Sequence, residues 1–166
     1  ATLAVLNDDR GIVSTGDGEL VVRGPGVFSG YLDEPAAAED FFVDGWFRTG
    51  DFARIDEDRD VFIVDRLKDL IIRNGYNISP VEIEQVLMSL PGVADAGVIG
   101  IPDDRAGEEV AAFVVAQGSA ASEAELRNLC EHRLARYKQP GTITFVDSID
   151  RGAKGQVLRD RLRPKS

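Results

Sequence analysis

Residues 64–84 have the sequence VDRLKDLIIRNGYNISPVEIE, and within this stretch the pattern of the chain changes. Before it, apolar residues stand in short β-branched and aromatic runs separated by polar turns, which is typical of strands. After it, helix starts and longer apolar periods alternate with strands. Clustered charges separate the two patterns. We therefore predict a hinge at residues 65–68, which joins a first domain, 1–64, to a second domain, 69–166.

Two helix starts define the second domain. Ser79 precedes Pro80 and stands three residues before Glu82, which is the spacing of an N-cap, a first-turn proline and a capping-box glutamate. The same spacing relates Ser122 to Glu125. Each helix is predicted to bury one apolar face. The residues of these faces are Ile83, Val86, Leu87 and Leu90 in the first helix and Leu126, Leu129, Cys130 and Leu134 in the second.

The other predicted elements are mostly short strands. The predicted strands are 19–23, 52–55, 61–64, 93–101, 109–115 and 142–146, with a helical turn at 36–40 and a basic helix at 156–163. The first domain has few apolar residues for a core, so it is predicted to be a β-rich remnant of a larger domain. The second is predicted to be a small mobile α+β C-terminal domain with a short sheet covered by helices. The fold class is therefore α+β.

Composition narrows the function. The chain has 166 residues and a net charge of −10, with one cysteine, Cys130, and one histidine, His132, which excludes an internal disulfide and a Cys/His-rich metal site. It has neither an apolar stretch of transmembrane length nor a leader-like start, so a cytoplasmic location is predicted. Residues 133–166 hold 9 basic and 3 acidic side chains. This suits a small phosphate-bearing ligand better than a nucleic acid, although a solvated basic tail has the same composition.

Two segments carry candidate ligand-binding groups. Residues 46–51 (WFRTGD) are predicted to form a turn between two strands that ends in the carboxylate of Asp51. A carboxylate beside a glycine can offer two oxygens to adjacent hydroxyls, such as the 2′ and 3′ hydroxyls of a ribose. Residues 151–159 (RGAKGQVLR) form a glycine-containing basic loop that suits phosphate or carboxylate binding. Taken singly, each segment is also typical of an ordinary turn or basic tail.

Six segments together resemble the last part of the adenylate-forming superfamily, which includes acyl- and aryl-CoA ligases, luciferases and peptide-synthetase adenylation domains. They are GELVVRG (18–24), GVFSGYLDEP (26–35), DGWFRTGD (44–51), DRLKDLI (65–71), GYNISPVEIE (75–84) and LARYKQP (134–140). GYNISPVEIE resembles the fatty-acyl and aryl CoA ligases rather than peptide-synthetase domains. The resemblance implies activation of a fatty or aryl acid with ATP and Mg²⁺, followed by acyl transfer to CoA. The phosphate loop and acid pocket would lie upstream, so this chain alone is expected to be inactive.

The resemblance also implies roles for individual residues. Asp51 would hold the ribose hydroxyls of ATP, and Arg66 would lie beside the same ribose or the phosphates. Asp65 and Lys68 would form the hinge about which the C-terminal domain rotates between the two half-reactions. The channel for the pantetheine arm of CoA would be lined by Gly75 and Tyr76.

One position departs from the family pattern. Gln156 stands where the family has a lysine that contacts the substrate carboxylate and the α-phosphate, and Lys154 could substitute for that lysine only if the loop is rearranged. Loss of such a cation lowers the rate by roughly 10²–10³. Three interpretations follow: an engineered change, a divergent or regulated module that does not adenylate, or a stand-in for an acylated lysine. The last implies a lysine acyltransferase as a partner of this loop.

Overall fold

A computed structural model describes residues 1–27, 39–118 and 121–162. The chain divides into two compact units, Ala1–Lys68 and Asp69–Ser166. Among the helices in the part of the chain that is described, none is long and apolar enough to cross a membrane.

The first unit is a β-sheet with a small core of its own. Its described strands are β1 (Thr2–Leu6), β2 (Ile12–Val13), β3 (Gly16–Arg23), β4 (Phe42–Val43), β5 (Trp46–Ile55) and β6 (Val61–Arg66). They pair in the order β2-β1-β3-β5-β4, with β6 also paired to β5, and all these pairings are antiparallel. The buried core residues are Val5, Leu20, Ala53 and Ile55. This small core agrees with the few apolar residues that the sequence offers here.

The segment 46–51 is not a turn between strands, which corrects the prediction above. Strand β5 runs through it without a break, and Asp51 lies inside the strand. The irregularity that the Thr-Gly-Asp sequence signals is a β-bulge, because the β3–β5 register shifts between Glu19 and Val21. Gly50 has φ +74°, a left-handed conformation that glycine adopts without strain. The glycine therefore bends the strand instead of ending it.

The second unit combines a five-stranded sheet with two helices. Its elements are β7 (Ile71–Arg73), β8 (Tyr76–Ile78), α1 (Pro80–Met88), β9 (Val93–Asp103), β10 (Gly107–Ala116), α2 (Glu123–Arg133) and β11 (Thr142–Phe145). The sheet order is β11-β10-β7-β8, with β9 also paired to β10. Strand β11 is parallel to β10, as a crossover through α2 requires, and the other pairings are antiparallel. The α+β class predicted from the sequence is confirmed.

The core of the second unit lies between the sheet and the two helices. Both predicted apolar faces contribute to it, although Leu90 and Leu129 are only partly buried. The fully buried members include Ile71, Ile78, Ile83, Leu87, Val98, Val110, Val114 and Leu126. Cys130 is buried among them, and burial raises the pKa of its thiol, as expected of a structural cysteine.

The end of the chain departs most from the sequence-based prediction. Residues 156–163 do not form a helix: the described part of this stretch contains only a 3₁₀ turn, Arg159–Arg161. Before that turn, the N–H of Leu158 donates to the carbonyl of Asp150, which keeps the chain in a hairpin-like path. Of the helical turn predicted at 36–40, residues 36–38 lie outside the described residues, and a 3₁₀ turn covers Glu39–Phe41.

The helix caps follow the sequence closely. Ser122 and Glu125 form a complete capping box, with hydrogen bonds in both directions. Ser79 caps α1 by accepting a hydrogen bond from the N–H of Glu82. The carboxylate of Glu82, which was expected to close a second box, is held in an ion pair with Lys138 at 2.9 Å. Because Lys138 is distant in sequence, the local spacing of Ser79 and Glu82 does not predict this ion pair.

Ser122→Ala is expected to lower the free energy of unfolding by about 1 kcal/mol, because the N–H of Glu125 loses its acceptor. Hydrogen bonds from Ser122 lower the pKa of Glu125, chiefly the bond from the backbone N–H. The stability gained from the ionised Glu125 is therefore present at neutral pH and is lost as the pH falls through that depressed pKa. Urea unfolding at two pH values measures both effects. Glu131→Ala, on the exposed face of α2, is the control, and an equal loss there would contradict the capping assignment.

Candidate functional site

Asp51 and Arg66 lie opposite each other where β5 pairs with β6. Arg66 Nη1 donates to Asp51 Oδ1 over 2.6 Å, and both side chains are partly exposed. Oδ2 of Asp51 has no partner among the residues that the structure describes. The fold thus brings the two predicted nucleotide-contacting residues together and leaves one carboxylate oxygen available to a ligand.

A buried carboxylate holds the bulge that carries Asp51. Glu19, only 6% exposed, accepts hydrogen bonds from Arg48 Nε at 2.9 Å and Nη2 at 2.7 Å through one oxygen. Its other oxygen accepts from the N–H of Gly50 at 3.1 Å. Thr49 Oγ1 accepts from the N–H of Asp51 at 3.1 Å and donates at 2.8 Å to the carbonyl of Leu20, the residue that follows Glu19. Charge-assisted hydrogen bonds therefore hold the residues that precede Asp51, and the Thr49 hydroxyl holds its backbone N–H.

The sequence pattern predicts Glu19 only as part of a strand. The signal that could have found it is an acidic residue next to three consecutive apolar residues in ELVV (19–22), all within a short strand. A carboxylate in such a strand becomes buried, and a buried carboxylate needs cationic or N–H partners. Those partners, Arg48 and Gly50, are 29 and 31 residues away in sequence, so the strand pattern alone does not name them.

The basic loop 151–157 closes on itself. Its ends pair as an isolated antiparallel bridge, the N–H of Gly152 donates to the carbonyl of Gln156 at 2.8 Å, and the N–H of Gly155 donates to the carbonyl of Gly152 at 2.9 Å. Gly155 has φ +80°, so the turn uses the conformational freedom of glycine. The side chains of Lys154 and Gln156 are exposed on this loop.

Both arginines that flank the loop are neutralised by acidic residues. Arg151 donates to Asp95 through Nε at 3.1 Å and through Nη2 at 2.5 Å. This hydrogen bonding lowers the pKa of Asp95 and raises the pKa of Arg151. Arg159 is paired with the buried carboxylate of Glu84. These arginines therefore serve the fold, and the cation that the loop itself presents is Lys154.

Gln156 uses its side chain within the loop. Its Oε1 accepts a hydrogen bond from the backbone N–H of Lys154 at 3.1 Å, and its carboxamide lies directly over Gly152, where a Cβ would collide with it. A neutral carboxamide satisfies this contact, whereas a lysine side chain carries no acceptor. The structure thus places Lys154 and Gln156 side by side without assigning either one a catalytic role.

Gly75 and Tyr76 lie at the hairpin between β7 and β8. Asn74 and Gly75 both have positive φ, which suits the tight turn between the two strands. Tyr76 is 53% exposed and stacks on Tyr137, with ring centroids 4.4 Å apart and planes inclined by 24°. Lys138 Nζ lies 5.7 Å from the Tyr137 ring centroid. The result is an exposed aromatic surface beside a cation.

The proposed hinge residues include both the end of a strand and a short turn. Asp65 belongs to β6, and its Oδ1 accepts from the N–H of Arg66 at 2.8 Å, whereas Lys68 lies in a 3₁₀ turn, Leu67–Asp69. Hinge motion at these residues stays a prediction. The described residues contain no group of three or more His, Cys, Asp or Glu side chains that could hold a metal ion.

Known proteins that are similar to this chain come from one class of enzyme. Residues 82–156 match the family described as the AMP-binding enzyme C-terminal domain. The chain is 44% identical to the long-chain-fatty-acid–CoA ligase FadD13 of Mycobacterium tuberculosis, over 97% of this chain and 32% of that protein. It is 45% identical to the 2-succinylbenzoate–CoA ligase of Listeria monocytogenes, over 90% of this chain and 32% of that protein.

A solved structure gives the same result. The o-succinylbenzoate CoA synthetase of Bacillus subtilis, in complex with its acyl-adenylate intermediate, matches 99% of this chain and 34% of its own with a TM-score of 0.85 and 36% identity. Over nearly its whole length the chain matches the C-terminal region of adenylate-forming enzymes of the acyl- and aryl-CoA ligase branch. It spans about a third of the length of the curated relatives that it matches.

Proposed function

We propose that the intact protein is an ATP-dependent acid–CoA ligase. In the first half-reaction the substrate carboxylate attacks the α-phosphorus of ATP, the α–β anhydride bond breaks, and pyrophosphate leaves. In the second, the CoA sulfur attacks the acyl carbon, AMP leaves, and the thiol proton passes to solvent. The observation that carries the proposal is the Asp51–Arg66 pair on a fixed bulge, in a chain that matches acid–CoA ligases over most of its length.

The geometry of the Asp51–Arg66 pair supports a separate role for each of the two residues. Asp51 is proposed to accept hydrogen bonds from the two ribose hydroxyls, and Arg66 to hold its carboxylate and add positive charge near the phosphates. The stacked Tyr76–Tyr137 surface beside Lys138 suits contact with the pantetheine arm of CoA. Mg²⁺, when bound, would neutralise phosphate charge, and by the family resemblance most of its protein ligands would lie upstream of this chain.

The acid specificity is proposed to reside outside this chain. A long-chain-fatty-acid ligase and a 2-succinylbenzoate ligase are almost equally similar to it, at 44% and 45% identity. Their acids differ in shape and polarity, so this part of the chain does not distinguish them. The relatives' names favour a ligase over the non-adenylating module and over a peptide-synthetase domain. An acyltransferase acting on the loop stays a prediction.

The test uses the full-length protein with a panel of fatty and aryl acids. Acid-dependent exchange of pyrophosphate into ATP measures adenylation, and acyl-CoA formation in the presence of CoA measures the complete reaction. We expect at least one acid to support both. Exchange without thioester formation for every acid would instead indicate an enzyme that activates an acid for a different acceptor.

Glu19→Gln is expected to raise the KM for ATP about tenfold, because the Gly50 N–H and Arg48 lose a charged acceptor and the bulge that carries Asp51 loosens. Asp17→Asn is the matched control, since Asp17 is also on β3 and also pairs with an arginine on β5, but that pair is exposed. In an Asp51→Ala background, Glu19→Gln should add little to the change in KM. Additive effects of the two substitutions would mean that Glu19 acts on ATP binding independently of Asp51, and an unchanged KM in Glu19→Gln would mean that Glu19 serves stability alone.

A further inference from the structure

Both ends of the loop that carries Lys154 and Gln156 are anchored to strand β9. At the first end, Arg151 makes two hydrogen bonds to Asp95 and a third, from Nη1, to the carbonyl of Gly155 at 2.6 Å. One guanidinium therefore links the loop's own turn to the strand. Asp95 is on β9, which forms the longest pairing of the second sheet with β10.

The second anchor is buried. Glu84, on α1, is 4% exposed; its Oε1 accepts from the N–H of Val98 on β9 at 2.9 Å and is also paired with Arg159 Nη1. The same Nη1 donates to the carbonyl of Val98 at 2.7 Å. Glu84, Arg159 and Val98 thus form one hydrogen-bonded cluster, and such bonds are what allows a buried charged pair to be tolerated.

A glycine makes room for the loop between the two anchors. Gly97 lies on β9 between Asp95 and Val98, and a Cβ there would come within 2.7 Å of Leu162 Cδ1 and 3.3 Å of Val157 Cγ1. Val157, next to Gln156, is buried. The apolar side chains of Val157 and Leu162 therefore pack against the strand at a position that carries no side chain.

We infer that Glu84, Arg159, Asp95 and Arg151 are positioning residues that hold the loop as a preformed unit on β9, so that the helix α1 and the strand set the location of residue 156. This inference rests on the proposed function, in which the loop acts in adenylation. It adds to that function a positioning role for the ion pair between Glu84 and Arg159, which are 75 residues apart in sequence. A loop held in this way would present residue 156 to the phosphate with little reorganisation.

The test compares Glu84→Gln and Asp95→Asn in the full-length protein, with Asp150→Asn as the control because its pair with Arg161 is exposed. Hydrogen exchange of the Gly152, Gly155 and Leu158 amides reports the loop, and the β9–β10 amides report the fold. Both anchor variants should raise loop exchange with β9–β10 exchange unchanged and, in a Gln156→Lys background where the loop carries the working cation, lower adenylation about ten- to a hundredfold. Thioester formation from preformed acyl-adenylate should stay within about twofold.

Different outcomes separate the inference from the proposed function. Unchanged exchange of the loop amides in both anchor variants would overturn the anchoring. Faster loop exchange with unchanged adenylation would overturn the positioning role and leave the ligase activity intact. If Glu84→Gln also accelerates β9–β10 exchange, Asp95→Asn decides alone, because Asp95 is only partly buried. Absence of adenylation in the unsubstituted protein for every acid would contradict the proposed function, whatever the exchange data show.

Discussion

Asp51→Ala in the full-length protein is expected to weaken ATP binding and to slow pyrophosphate exchange by about ten- to a hundredfold. The substitution removes the charged acceptor proposed for the ribose hydroxyls, and a hydrogen bond to a charged group contributes about 1.5–3 kcal/mol. It also leaves Arg66 without its partner at 2.6 Å. Isothermal titration with ATP and pyrophosphate exchange measure the two effects.

Two further variants sharpen the result. Asp51→Asn keeps the shape and one acceptor, so its effect should lie between those of the unsubstituted protein and Asp51→Ala. Asp17→Asn removes an exposed pair between β3 and β5 and should change neither measurement. If Asp51→Ala leaves both ATP affinity and exchange unchanged, the Thr-Gly-Asp sequence serves only to form the bulge.

Local signals in the sequence predicted the elements well. The serine caps at 79 and 122 are present, and the strands predicted at 19–23 and 109–115 lie inside β3 and β10. Such features depend on residues within one or two turns of each other, so a single segment contains the information. Short strands with little β-branched content, such as β8 with the sequence YNI, carry no comparable signal and were missed.

Long-range charge pairing is what the sequence could not provide. Residues 151–159 look like a loop with three cations, and the sequence favoured a phosphate site followed by a basic helix. Asp95 and Glu84, 56 and 75 residues earlier, take up two of those cations. A charge count over a segment cannot distinguish a ligand-binding arginine from a structural one, because the difference depends on which acidic residues the fold brings close. The role of Glu19 is not predicted for the same reason, because its partners Arg48 and Gly50 are also distant in sequence.

Gln156→Lys in the full-length protein is expected to raise the adenylation rate by roughly 10²–10³, because a cation would then face the charge that develops on the reacting phosphate. The substituted lysine would be free to act, since the neighbouring arginines are already paired with Asp95 and Glu84. The loss of the Gln156 Oε1 contact to the N–H of Lys154 is minor, because the loop keeps its backbone hydrogen bonds. Pyrophosphate exchange measures the change.

The second half-reaction provides the internal comparison for Gln156→Lys. Thioester formation from preformed acyl-adenylate should change little, because a group that stabilises phosphate charge accelerates only the step in which that charge develops. Lys154→Ala should likewise have a small effect on adenylation if residue 156 is the position that faces the phosphate. A fully active Gln156 protein whose adenylation is abolished by Lys154→Ala would reverse the assignment and make Lys154 the working cation. If neither substitution alters exchange, the loop has no part in the chemistry, and its anchors on β9 serve stability alone.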